Sequence, residues 1–371
     1  MSTARGSGGV PRETESGGVP RETGSGGVLR ETYRSAGVDL EAAEEAVDRI
    51  RSLVASTARP EVVGGIGGFG GVFAFDPGRY EKPLLVSTTD GVGTKSEVAR
   101  LTGRYDTIGL DCVAMSVDDL AVCGAEPLFF LDYISVGRND PALIEAIVSG
   151  VAAGCRQAGC ALVGGEISEH SGLMEPGHFD LVGFAVGVVE ADRRLPSGVR
   201  AGDRVVGIAS PGLRSNGYSL ARKILVEPGD RRLDDPAWPG AEVTLADELI
   251  RPSVIYSPAL RRLSDEVEVH AFAHVTGGGI PGNLSRVLPD GLGADVRRGA
   301  WPEPRIFSVV ADAGGVADEE MVRVFNLGLG MLAVVPAGDV AAALASLAAA
   351  GHDAWEVGAI RDGAGVAVVG R

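Results

Sequence analysis

The sequence predicts a two-domain protein of the α/β class, mixed α+β in its strand arrangement. Three observations carry this expectation. Helix and strand patterns interleave in both halves, and 371 residues suffice for roughly two hydrophobic cores. A polar, turn-rich stretch at 193–203 then separates the halves near residue 200. The expected organisation is a tail over 1–32, an N-terminal domain over 33–200 and a C-terminal domain over 201–371.

The tail holds a nine-residue repeat beginning at Ser7, Ser16 and Ser25. Its Gly, Pro and Ser content leaves almost nothing apolar to bury, so disorder is expected there. Globular sequence starts near Tyr33. Residues 41–56 read as an amphipathic helix through Ala46, Val47, Ile50, Leu53 and Val54, with Asp39 placed as its N-cap. Gly64–Gly71 follows, six glycines in eight residues, a pattern that fits a phosphate-covering loop or a hairpin turn.

A strand at 83–88 leads into Thr89-Asp90-Gly91-Val92-Gly93-Thr94-Lys95, where a buried run gives way to a glycine turn. Glycines there admit a ligand close to the backbone, and Lys95 adds a cation suited to phosphate. A helix at 109–123 carries Asp111 and Asp118, seven residues apart on one face, with Val113, Val117 and Leu120 opposite. Carboxylates beside a Gly/Lys turn suggest a Mg²⁺–nucleotide site; a strand turn with a solvated acidic helix face fits the same pattern. Next come a strand at 128–136, a helix at 141–158, and a strand at 161–163 ending at Gly164-Gly165-Glu166, whose carboxylate is a further metal candidate. A strand at 179–189 completes this half.

The second half opens with a strand at 204–209, then a turn with Arg214, Ser215 and Asn216, and a helix from Tyr218. A strand ending at His274 runs into Thr276-Gly277-Gly278-Gly279, with Asn283 and Arg286 on the helix beyond. Helices at 318–324 and 340–350 and a last strand close the chain. His274 and the two asparagines read equally as structural turn residues when taken singly.

A net charge of −16 with no compensating basic run excludes a nucleic-acid binder. Four cysteines without CxxC spacing read as free thiols, and no His/Cys set has zinc spacing. No run reaches transmembrane length and no signal-peptide core is present, so a cytoplasmic protein with no membrane partner is expected. Neither a Walker motif nor a Gly-x-Ser-x-Gly elbow occurs, leaving phosphate chemistry without a P-loop.

Ordered blocks over residues 33–365 resemble the phosphoribosylformylglycinamidine cyclo-ligase (aminoimidazole ribonucleotide synthetase) family. They include Gly64–Gly70, Thr89–Lys95, Tyr105-Asp-Thr-Ile-Gly109, Gly124-Ala-Glu-Pro-Leu-Phe129, Gly164-Gly-Glu166, Ser215–Leu220, His274–Gly279 and Asn326-Leu-Gly328. The resemblance implies the two-domain, non-P-loop ATP-binding fold of that superfamily and a homodimer formed through the N-terminal domains. It implies ATP and Mg²⁺, a small ribonucleotide substrate, and closure of an imidazole ring through an imidate phosphate.

By the same resemblance, Asp90, Asp111, Asp118 and Glu166 would hold Mg²⁺, and Asp90, Lys95, Asp111 and His274 would be catalytic. Gly64, Gly65, Gly67, Gly68 and Gly70, with Asp90, Lys95 and Asp118, would bind the nucleotide. Arg214, Ser215, Asn216, Thr276, Gly277 and Gly278 would meet the substrate. Two departures stand out: Arg214 replaces the family's usual histidine, and 167–171 reads Ile-Ser-Glu-His-Ser where Thr-Ala-Glu-(Met or His)-Pro is usual. A paralogue acting on another amide, or a non-catalytic nucleotide-binding subunit, is the competing reading.

Overall fold

A computed structural model describes residues 31–229 and 231–370. Most of the repeat tail, residues 1–30, lies outside them. The N-terminal half begins with α1 (Leu40–Ala55), capped as expected by the Asp39 carboxylate, which accepts from Ala42 N at 3.2 Å. A two-strand hairpin, β1 (Val62–Val63) and β2 (Val72–Phe73), brackets the glycine loop. The sheet and its helices are β3 (Pro83–Gly91), α2 (Lys95–Thr102), α3 (Ile108–Val122), β4 (Glu126–Val136), α4 (Pro141–Ala158), β5 (Ala161–Glu169) and β6 (Phe179–Glu190).

Strand order is β3-β6-β4-β5. The β4–β5 pair is parallel, joined across α4; the other two pairs are antiparallel. Helices α3 and α4 cover one face. They approach closely because Gly109 and Gly150 carry no side chain: a Cβ on Gly109 would lie 2.2 Å from Val151 N. The opposite face presents Leu85, Tyr133 and Phe184 to solvent.

The C-terminal half contains β7 (Arg204–Ala209), α5 (Tyr218–Leu225), α6 (Leu245–Ile250), α7 (Ser257–Glu266), β8 (Ala271–His274), α8 (Gly279–Leu284), β9 (Leu292–Arg297), α9 (Arg305–Gly314), α10 (Asp318–Val324), β10 (Leu329–Val335), α11 (Val340–Ala349), β11 (Ala354–Asp362) and β12 (Gly365–Val369). Its six strands run in the order β12-β9-β11-β7-β10-β8, all antiparallel except β12–β9. Mixed sheets in both halves give the expected α/β class. The short helices α2, α6 and α7, helix α9 and strands β9 and β10 extend what the sequence reading placed.

Helix α3 joins the halves, packing on the first sheet and also on β8 and α7. All but three of its 15 residues are buried. Of the two readings the pattern left open, the solvated acidic face is not what α3 presents. The Gly164-Gly165-Glu166 turn is also absent: β5 continues to Glu169, because β4 pairs with it along that length. Cys112, Cys155 and Cys160 are buried free thiols, and Cys123 is a partly buried one.

Candidate active site

The carboxylates of α3 sort by a single step of helix rotation. Asp118 points inward, fully buried, while its neighbour Asp119 keeps 43% of its side chain exposed. Asp119 Oδ1 lies 2.8 Å from His274 Nδ1 at the end of β8, so this contact spans the two halves. Asp90, near the end of β3, lies close to both groups. Burial pushes its carboxyl upward, as does Asp119, while His274 and the Gly91 N–H pull it back. Two carboxylates in mutual repulsion at a partly exposed position are a place where a cation would relieve strain.

Arg214 reaches the same cluster from behind. Its Nη2 donates to Asp118 Oδ2 at 3.1 Å and lies 2.9 Å from His274 Nε2, and its Nη1 donates to Val254 O at 2.8 Å. The guanidinium sits 4.8 Å from the centre of the Tyr256 ring, and the residue is 2% exposed. The backbone there is left-handed (φ 63°), a conformation costing a non-glycine residue roughly 1 kcal/mol. Both Nη atoms are engaged and Nε is buried without a partner. In this geometry the Arg214 side chain is engaged by the protein interior, where the sequence reading had expected a substrate contact.

Lys95 and Asp111 form a buried pair. Both side chains are fully buried, their Nζ and Oδ2 are 2.6 Å apart, and Lys95 also donates to Arg251 O at 2.7 Å. Asp111 Oδ1 accepts from Ser253 N and Oγ at 2.8 and 2.5 Å. Burial lowers the Lys95 ammonium's affinity for its proton, and the Asp111 charge restores part of it. Asp118 Oδ1 accepts from Tyr256 N and Ser257 N at 2.8 and 2.9 Å. Burial raises its carboxyl, with Arg214, His274 and those two amides opposing. The three residues clasp the segment 251–257 of the other half.

Pairing register sets Glu166 one row apart from Asp90, where it also lines the cavity under the glycine loop. Asp90, Gly183, Asp132 and Gly165 form one cross-strand row, whereas Glu166 shares the next row with Tyr133, Val182 and Gly91. Adjacent rows face opposite sides of a sheet. Asp90 thus faces α3, and Glu166 faces outward beside exposed Tyr133. No group of three or more His, Cys, Asp or Glu able to hold a metal exists among the described residues.

The glycine loop does cover a cavity, of about 360 Å³, floored by β4 and β5 and walled by α1. Gly65, Gly67, Gly68 and Gly70 line it, and Gly64 precedes it. Asp132 lies within it, unnoticed in the sequence reading. Burial pushes its carboxyl up to about 7, and its Oδ2 is buried without a partner. Across the molecule, Asn216 Oδ1 accepts from Gly277 N at 3.0 Å, and Asn283 Nδ2 donates to the carbonyls of Thr276, Gly277 and Gly279. These bonds hold the Thr276–Gly279 turn beside His274. Gly279 must be glycine, since a Cβ would stand 2.0 Å from Val322 O. Ser215 Oγ is buried without a partner.

Two family models match the chain: AIR synthase related protein, N-terminal domain, over residues 72–189, and AIR synthase related protein, C-terminal domain, over 200–371. The fold and cleft are thus those of an AIR synthase related protein. Among solved structures, thiamine-monophosphate kinase from Stenotrophomonas maltophilia K279a superposes with a TM-score of 0.64 at 20% identity, covering 88% of this chain and 96% of that one. Hydrogenase maturation protein HypE in complex with ATP gives 0.59 at 18% identity, covering 85% and 86%. A curated relative from Anaeromyxobacter sp. (strain Fw109-5), phosphoribosylformylglycinamidine cyclo-ligase, is 53% identical over 91% of this chain and 97% of its own length. This chain belongs to the phosphoribosylformylglycinamidine cyclo-ligase family, and it is an enzyme that forms carbon–nitrogen bonds.

Proposed function

We propose that this enzyme closes formylglycinamidine ribonucleotide to 5-aminoimidazole ribonucleotide, with ATP converted to ADP and phosphate. The observation that carries the reading is the identity of 53% spanning both halves of the chain. An amide oxygen leaves poorly from carbon. In the proposed sequence that oxygen attacks the γ-phosphorus of ATP, ADP departs, and an imidate phosphate forms. A substrate nitrogen then bonds to the same carbon and sheds its proton, while the carbon–oxygen bond breaks and phosphate leaves carrying the former amide oxygen.

Phosphoryl transfer of this kind depends on positioning and neutralisation of charge more than on a nucleophilic side chain. Asp90 and Asp119 are assigned to Mg²⁺, which when bound would neutralise phosphate charge. The raised carboxyl of Asp90 beside a second carboxylate fits such a role. The glycine loop is assigned to ATP, with the cavity beneath it, in keeping with a structure of the same fold that holds ATP. Ser215, Asn216 and the Thr276–Gly278 turn are assigned to the ribonucleotide. Labelling the amide oxygen with a heavy isotope tests the sequence: the label is expected in inorganic phosphate, and its release into water would contradict it.

The same reading includes a homodimer through the N-terminal halves. The outward sheet face combines Leu85, Phe129, Leu131, Tyr133, Val182, Phe184 and Val186 in adjoining rows, an apolar surface suited to burial against a second copy. Glu166 then belongs to the seam between subunits. Phe184→Asp is expected to shift the mass measured by light scattering from dimer to monomer; an unchanged dimer places the interface elsewhere.

A further inference from the structure

We propose that Arg214 is a positioning residue that fixes the tautomer of His274 and, through it, the aim of Asp119 across the cleft. A guanidinium only donates hydrogen bonds, so the His274 nitrogen 2.9 Å from Nη2 must be the acceptor. The ring proton then resides on Nδ1, directed at Asp119 Oδ1 2.8 Å away. Arg214 itself cannot swing aside. Asp118 and the Val254 carbonyl hold its two Nη atoms, and Tyr256 lies under its plane.

Asp118 is fixed in turn by the Tyr256 and Ser257 amides. The result is an unbroken line of hydrogen bonds from the 251–257 segment through Asp118, Arg214 and His274 to the single exposed carboxylate of α3. The left-handed backbone at Arg214 fits this role, since strained conformations persist where their surroundings over-determine them.

The test uses the full chain labelled with nitrogen-15. Long-range proton–nitrogen spectra show its five histidines, and His274 is assigned by the signal lost in His274→Asn. The wild-type ring is expected as the Nδ1–H form. Arg214→Met removes the donor and is expected to give the Nε2–H form or exchange between the two; Arg214→Lys keeps a donor and is expected to retain Nδ1–H.

The kinetic arm rests on the proposed function. Arg214→Met is expected to lower kcat for substrate-dependent phosphate release about 10–100-fold, the range seen when supporting partners of a site are removed. KM for the ribonucleotide is expected to move by less than about threefold, with Arg214→Lys recovering most of the rate. A wild-type ring in the Nε2–H form, or Arg214→Met with both the wild-type tautomer and the wild-type rate, would overturn the proposal. A loss confined to KM would also overturn it, by showing direct substrate contact. If Arg214→Met does not fold, the wild-type and Arg214→Lys spectra decide. If the wild type releases no phosphate, the function reading falls and the tautomer result alone decides the role of Arg214.

Discussion

Asp119→Asn is expected to reduce substrate-dependent phosphate release by about 10²–10³-fold, the cost of losing one group that stabilises developing charge. Asp119 is the carboxylate of α3 with an exposed side chain, and it stands with Asp90 on the cleft side of His274. An amide of the same shape keeps an acceptor for His274 Nδ1 but removes the charge a Mg²⁺–phosphate group would meet. Raising the Mg²⁺ concentration is expected to recover part of the rate. Asp118→Asn serves as the contrast. Its oxygens face Arg214 and two backbone amides, so its effect should fall on stability more than on Mg²⁺ dependence. Turnover of Asp119→Asn within about threefold of wild type would remove Asp119 from the phosphate site.

Lys95→Met is expected to lower the free energy of unfolding by about 3–5 kcal/mol, the usual cost of removing one partner from a buried ion pair. Lys95 and Asp111 are both fully buried, and the methionine leaves the Asp111 carboxylate with Ser253 but no counter-charge. The Arg251 carbonyl loses its donor as well. Adding Asp111→Leu to Lys95→Met should restore a large part of the loss, because a closely packed apolar pair replaces two buried charges without leaving either alone. Denaturant unfolding of the single and double variants measures both effects. A loss under about 1 kcal/mol in Lys95→Met, the range of exposed pairs, would mean that Lys95 is free to reach a ligand after all.

The fold was legible wherever a local signal marked an element's limits. Helix α4 begins with an Asp140 cap and a proline at its first position, and its predicted and observed spans coincide. Strand β10 was not placed from the sequence, and Gly330 interrupts its apolar run. Gly330 in fact makes room for Tyr256, whose Oη would lie 2.2 Å from a Cβ there. That neighbour is far off in sequence, and no local pattern announces it.

The site was legible as a set of blocks but not as a set of directions. Spacing from Asp111 selected Asp118, yet one further residue turns the helix about 100° and brings Asp119 to the cleft. The Gly/Lys turn suggested a phosphate lysine, but the 251–257 segment folds over Lys95 and consumes it. Glu166 looked like a strand-end ligand until register placed it on the outward face. In each case the residue type was informative, and what decided its role was a long-range packing choice.

The central claim is that this enzyme couples ATP to ring closure of formylglycinamidine ribonucleotide. Phosphate and aminoimidazole product, measured together with purified protein, ATP and Mg²⁺, test it most directly. No appreciable phosphate is expected without the ribonucleotide, and with it equal amounts of phosphate and aminoimidazole. Phosphate release that ignores the ribonucleotide, or that rises with it while no aminoimidazole forms, would contradict the claim.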